Sequence, residues 1–167
     1  MRSMKSGFTS SKIILGIDPG MATTGWGVVQ DGKLLGCGLI ETDKKLAHGT
    51  RLDIIYRGVE KIIKGYNPEE VAIERLFFAS NALTAIAVGQ AIGVIKLAVY
   101  HGDKPIFDYA PMQVKLVVGG SGKADKQVIK DKMKRMFKIR EKKGMKTHFD
   151  NTADALAIVV CHIFKTS

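Results

Sequence analysis

Acidic residues are scarce in this chain. Its 167 residues carry 16 Asp and Glu against 26 Lys and Arg, a formal net charge of +10. That deficit argues against a cationic partner and favours a polyanion, of which nucleic acid is the commonest. Cysteine is nearly absent. Cys37 and Cys161 share no metal-type spacing, which excludes a zinc module and a disulfide framework and suits a reducing compartment. No apolar run approaches the length needed to span a bilayer. No basic amphipathic helix with exposed Trp or Phe offers attachment to an anionic membrane surface. The expected location is therefore cytoplasmic. Residues 1–12 hold Arg, Lys, Ser and Thr but no acid. They are too short and polar for a signal peptide and are expected to be a disordered leader. Residues 13–167 then make one domain with a real core.

What is present begins with Ile13 to Trp26, IILGIDPGMATTGW. A short apolar run closed by Pro-Gly is a buried strand ending in a turn. Asp18 lies at its end, where a charge is costly unless paired or metal-bound. A plainer role for Asp18 is to cap the following turn through its own carboxylate. Gly25 to Gln30 reads as a second strand, Asp31-Gly32 as a two-residue hairpin turn, and Lys33 to Glu41 as a third strand. Trp26 reads as a packed strand residue. From Ala47 to Lys64 the residues Leu52, Ile55, Val59, Ile62 and Ile63 recur at helical spacing, with Gly65 and Pro68 ending the helix. Val71 to Ile73 is a short buried strand that delivers Glu74.

Ser80-Asn81 offers a cap for a helix over Ala82 to Tyr100 that is apolar almost all round. In a chain this short, part of its cover is expected from a second subunit. Asp103 to Tyr109 reads as a strand and Pro111 as a helix start. Gly119 to Gly122 is a loop. Lys123 to Phe137 is a basic helix with Val128, Met133, Met136 and Phe137 inward, and the last helix runs from about Asp150 to Phe164. The order implies an α/β protein, a mixed sheet with helices on both faces.

With so few acids, their placement is informative. Asp18 and Glu74 both end strands. Asp150, Asn151 and Asp154 lie near the start of the last helix, where Asp154 shares a face with Asp150 or Asn151. Acids at a helix start also have a plain role, complementing the dipole. As a group, carboxylates at strand ends and on an adjacent helix suit Mg²⁺, and two such ions about 4 Å apart are the usual apparatus of phosphodiester hydrolysis.

These residues resemble the RuvC family of Holliday-junction resolvases. The resemblance spans nearly all of Ile13 to His162. It rests on GIDPG with Asp18, on AIERLFFASNALTAIAVGQAIGV with Glu74 and Phe77, on VKLVVGGSGKADKQV, and on ADALAIVVCH with Asp154. The pentapeptide GIDPG alone also resembles the phosphate loop of actin-like ATPases. Membership implies a ribonuclease-H-like fold, a homodimer, and a Mg²⁺- or Mn²⁺-dependent endonuclease with two ions per site. Such an enzyme nicks opposed strands of a four-way junction during recombination and repair. It also implies a branch-migration motor as a possible associate.

Carried over by position, Asp18, Glu74 and Asp154 are metal ligands and catalytic acids. The fourth position falls on Asn151, where the family has Asp or His. An amide oxygen can touch a metal but brings no charge and takes no proton. Two origins stay open: Asn151 is natural, with Asp150 substituting from the neighbouring position, or it is an engineered Asp-to-Asn change made to trap substrate. The alternative to a nuclease is a chain that binds junctions without cutting them well. The resemblance makes Phe77 a wedge residue and sets Lys115 and Lys126 near the scissile phosphate. Lys123 adds charge for DNA on the next segment. A broader nuclease acting on RNA–DNA hybrids or branched DNA is a third reading. Among the histidines only His148, just before the last helix, could reach the metal pocket, and it reads more readily as a surface residue.

Overall fold

The computed structural model describes residues 10–76, 82–139 and 146–167, without the side chains of 146–148. Three strands open the domain as an antiparallel meander: β1 (Ile14–Asp18), β2 (Thr23–Gln30) and β3 (Lys33–Glu41). The β2–β3 turn places Asp31 and Gly32 at φ 49° and 69°, the left-handed pair that a two-residue hairpin needs. Helix α1 (His48–Tyr66) leads to β4 (Glu70–Glu74), and α2 (Ala82–His101) leads to β5 (Ile106–Tyr109). Strand β4 runs parallel to β1, and β5 parallel to β4, giving the sheet order β3-β2-β1-β4-β5. Helices α3 (Pro111–Gly119), α4 (Lys126–Phe137) and α5 (Lys146–Thr166) complete the chain. Ser10 to Lys12 already tie into the domain: the Asp31 amide donates to the Ser10 carbonyl at 2.9 Å, and Lys12 pairs with Glu70.

Alternation along the strands sorts side chains to two faces. Leu15, Ile17, Val28, Val71 and Ile73 meet α1 and α2 on one side. Ile14, Val29 and Ala72 meet α5 on the other, where Val114 and Val118 of α3 and Ile129 and Met133 of α4 complete the core. Helix α5 lies unusually close to the sheet because the strands beneath it are glycine. A Cβ on Gly16 would fall 2.3 Å from the Ala155 carbonyl oxygen, and one on Gly25 2.2 Å from that of Asn151. Gly27, the partner of Gly16 across β1 and β2, sits under Leu156.

Several boundaries differ from the sequence expectation. Helix α1 runs through Gly65 and stops at Asn67, whose φ of 46° closes the end with a 2.8 Å bond to the Ile63 carbonyl. Strand β5 starts at Ile106, because Asp103 turns the chain at φ 53°. Helix α4 starts at Lys126, three residues late, because the Asp125 carboxylate accepts from the Gln127 amide at 2.7 Å and caps it. Its buried residues are Ile129 and Met133, one turn apart, and Val128 is 42% exposed rather than inward. Helix α5 starts a turn early, at Lys146. Helix α2 overturns the expectation about membrane length. By length and composition it is apolar enough to cross a bilayer, since its glycines and polar residues do not interrupt the helix. Its buried residues are Ala91, Ile95, Ala98 and Val99, while Leu83, Ile86, Leu97 and Tyr100 face outward. Ser80 and Asn81, read as its cap, lie outside the described residues.

Candidate active site

The acids expected at strand ends stand side by side. Ile17 pairs with Ile73 across the parallel β1–β4 ladder, so the next residues, Asp18 and Glu74, end neighbouring strands. Two residues beyond Gly16 and Ala72, both carboxylates point to the α5 face. The turn after Asp18 is closed by Thr24, a fully buried residue whose hydroxyl donates to the Gly20 carbonyl at 2.8 Å. Asp18 pairs across the sheet with Gly25, and the backbone of Asn151 rests on that glycine. Asp154 follows one turn along α5. The glycine contacts therefore set where Asn151 and Asp154 stand over the two strand ends.

Electrostatics tie the acids together. Burial pushes the Asp18 carboxyl well above the usual carboxylate range, and the charges of Glu74 and Asp154 push it further. Glu74 is pushed up to about 7, first by burial and then by Asp154. Asp154 is also raised by burial, with Lys126 acting against the rise and Asp150 adding to it. The charge of Asp154 thus disfavours the ionisation of both strand-end acids. The counter-charge comes from Lys126, whose Nζ lies 3.4 Å from Asp154 Oδ2. Asp154 first, and Asp18 and Glu74 after it, hold that ammonium above its ordinary range. Lys115 on α3 contributes less, acting to lower both Glu74 and Asp154.

Desolvated, mutually repelling oxygens with only part of their charge balanced are a donor set that fits a hard divalent cation. Among the described residues, no three His, Cys, Asp or Glu groups already converge on one point as ligands.

Not every expected residue joins the cluster. Asp150 faces α4, where it pairs with Lys130. Lys123 is exposed in the turn before α4, its amide bonded to the Ser121 hydroxyl at 3.2 Å. Phe77, and Phe78 beside it, lie outside the described residues, as does the side chain of His148. No acid lies in the first turn of α5. The dipole role suggested for Asp150, Asn151 and Asp154 is therefore weak, because the effect fades beyond that turn.

Two arrangements carried no signal in the sequence. One is the Lys130–Asp150 pair. The other is a buried relay at the far end of α5, where fully buried His162 contacts Glu70 through Nε2 at 2.8 Å and the Tyr109 hydroxyl through Nδ1 at 2.7 Å. His162 offered no ligand spacing, and its partners come from two separate strands.

The sequence model of the family described as Crossover junction endodeoxyribonuclease RuvC matches residues 14–162. A protein of that name from Rubrobacter xylanophilus is 43% identical over 162 residues, covering 95% of this chain and 88% of its own. Another, from Alkaliphilus oremlandii, is 44% identical over 154 residues, covering 90% and 92%. Among solved structures, T. thermophilus RuvC in complex with Holliday junction substrate matches with a TM-score of 0.83 at 31% identity, covering 93% of this chain and 94% of that one.

Proposed function

The chain belongs to the RuvC family of crossover junction endodeoxyribonucleases, and from that premise we propose which of its residues carry the reaction. The fold is ribonuclease-H-like, and the enzyme is a structure-selective nuclease acting on four-way DNA junctions. Asp18, Glu74 and Asp154 are the metal ligands, with the Asn151 side-chain oxygen as a neutral fourth. The single observation behind this is the juxtaposition of three partly buried carboxylates at one sheet end, Asp18 and Glu74 on neighbouring strands and Asp154 on the helix above them, with the charge of Asp154 acting on both of the others. Mg²⁺ is the proposed cofactor, two ions per site, with Mn²⁺ able to replace it. Bound there, the ions would polarise the scissile phosphodiester and lower the pKa of the attacking water.

The chain's own residues do the rest. Lys126 and Lys115 offset phosphate charge beside the acids, and Lys123 extends the positive surface along the DNA. Phe77 is proposed to wedge at the opened crossover, the role its place in the family motif gives it. The protein acts as a homodimer through the outward face of α2, so that two sites meet two equivalent strands. A branch-migration motor is a further proposed partner, and the cytoplasm the proposed location.

A second reading rests on Asn151 alone. The amide leaves the site one charge short, which would yield a protein that grips junctions and cuts them poorly. Incubating labelled four-way junction and linear duplex with Mn²⁺, with and without Asn151→Asp, decides between the two. Paired nicks in the junction by the unaltered chain support the enzyme. Cleavage seen only after Asn151→Asp supports the binder. Equal affinity for junction and duplex would remove both.

A further inference from the structure

We propose that Lys130 and Asp150 form a positioning pair that sets Lys126 against the acid cluster, and that Asp150 is not a metal ligand. The proposal rests on the site assignment above and adds residues to it.

The geometry is a two-rung ladder between antiparallel helices. Lys126 and Lys130 are one turn apart on α4, and Asp150 and Asp154 are one turn apart on α5. Lys126 meets Asp154 and Lys130 meets Asp150. Four residues rise about 6 Å on either helix. The rungs are therefore commensurate, and fixing one fixes the register of the other.

The two rungs differ in how firmly they are held. The Lys126 side chain is 80% exposed, so its own contact gives it little order. The Lys130 side chain is only 16% exposed. Its ammonium also lies 5.9 Å from the centre of the Phe149 ring, and that ring is buried in the core. Lys134, a further turn along α4, approaches the same ring at 5.4 Å. The Lys130 rung is thus anchored on the core side, and the Lys126 rung takes its register from it. A small cleft of about 110 Å³ lined by Lys126, Gln127, Lys130, Asp150, Ala153 and Asp154 separates the helices.

The same geometry removes Asp150 from the donor set. Asn151 rests on Gly25 and faces the strand ends. Asp150, one residue earlier, is turned toward α4, with its charge committed to Lys130. The reading in which Asp150 replaces the missing fourth acid therefore fails on direction: reaching the cluster would break the firmer rung.

The test uses the full-length protein and four variants: Lys130→Met, which keeps the stem over Phe149, Asp150→Asn, the double neutralisation that combines these two, and the charge-swapped pair Lys130→Asp with Asp150→Lys. Mn²⁺ binding is measured calorimetrically without DNA. Junction cleavage is measured as kcat and KM, and the ¹⁵Nζ resonance of Lys126 reports its contact with Asp154. The expectation is that Asp150→Asn leaves the Mn²⁺ dissociation constant within about twofold, since no ligand is lost. Each single variant should lower kcat about tenfold with little change in KM, the pattern of a misplaced group rather than lost binding. The double neutralisation should be no worse than either single change, because the two residues act as one unit. The charge swap should restore both kcat and the Lys126 resonance. A tenfold or greater loss of Mn²⁺ affinity in Asp150→Asn would make Asp150 a ligand and overturn the proposal. Additive losses, or an unmoved Lys126 resonance, would do the same. If the unaltered protein shows no cleavage with Mn²⁺, the site assignment fails separately, while the resonance and metal titrations still decide the pair.

Discussion

Glu74 shows what burial does to a functional residue. Its carboxyl is pushed up to about 7 by desolvation and by Asp154, so at neutral pH it is divided between its two forms. In the unfolded chain it titrates near the ordinary glutamate value of about 4.3. The folded state therefore pays no penalty below that value, an increasing one as pH rises, and the full one above about 7. Metal-free protein should lose stability over that window. Glu74→Gln should remove the loss, raising the melting temperature at pH 8 by about 3 °C in chelator-containing buffer while abolishing cleavage. Metal binding should strengthen over the same window, because the ligand is the ionised form; melting curves across pH, with and without Mg²⁺, measure both. A wild-type curve flat between pH 5 and 8 would contradict the cluster. At this scale the sequence is most readable where a residue ends an element. Asp18 before Pro-Gly and Glu74 after Val71 to Ile73 were legible because burial and strand termination are local patterns. The Lys130–Asp150 pair and the His162 relay were not, since their members are brought together only by how helices cross the sheet.

The site is set at the scale of elements by how closely α5 approaches β1 and β2. Gly16 and Gly25 bring the helix backbone onto the sheet backbone, and Gly27 makes room for the Leu156 side chain. Gly25 matters most for function because its contact is Asn151. Gly25→Ala puts a methyl 2.2 Å from that carbonyl oxygen, and backbone cannot swing away as a side chain would. The expected cost is about 1–3 kcal/mol in urea unfolding, with a larger proportional loss of cleavage because α5 must lift from the strand that carries Asp18. Gly65 is the opposite case. It sits exposed inside α1 with open space where a Cβ would go, so Gly65→Ala should stabilise the protein by about 0.5–1 kcal/mol and leave cleavage unchanged. The same pair explains why element boundaries were only partly readable. Gly65 resembles a helix stop in sequence, yet the helix continues to the left-handed Asn67 because the packing of Ile62 and Ile63 outweighs the propensity of one glycine. Helix α4 shows the same limit in its phase: Val128 and Ile129 are equally apolar in sequence, and only packing against the core selects Ile129.

Across the molecule as a whole, one face of α2 is exposed among the described residues. Ala91, Ile95, Ala98 and Val99 are buried on one side. Leu83, Ile86, Leu97 and Tyr100 form an exposed stripe on the other, from 47% to 78% accessible. Their spacing of three and eleven residues keeps them on one side of a helix about 30 Å long. A contiguous apolar stripe of that size marks an interaction surface. A two-fold axis through it would pair α2 with its own copy and present two acid clusters from one particle. Introducing like charges there should separate the subunits without disturbing the core. Ile86→Glu with Leu97→Glu should weaken self-association at least a hundredfold, on the order expected for losing two central contacts, with the circular dichroism spectrum unchanged. Sedimentation equilibrium checks the first point. The consequence for catalysis is read on a supercoiled plasmid carrying a cruciform. Paired cuts within one binding event give linear product from the parent, and the separated subunits should give nicked circles instead. If the parent protein sediments as a monomer at micromolar concentration, the stripe serves another partner, and the pairing of cuts must come from the junction rather than from the enzyme.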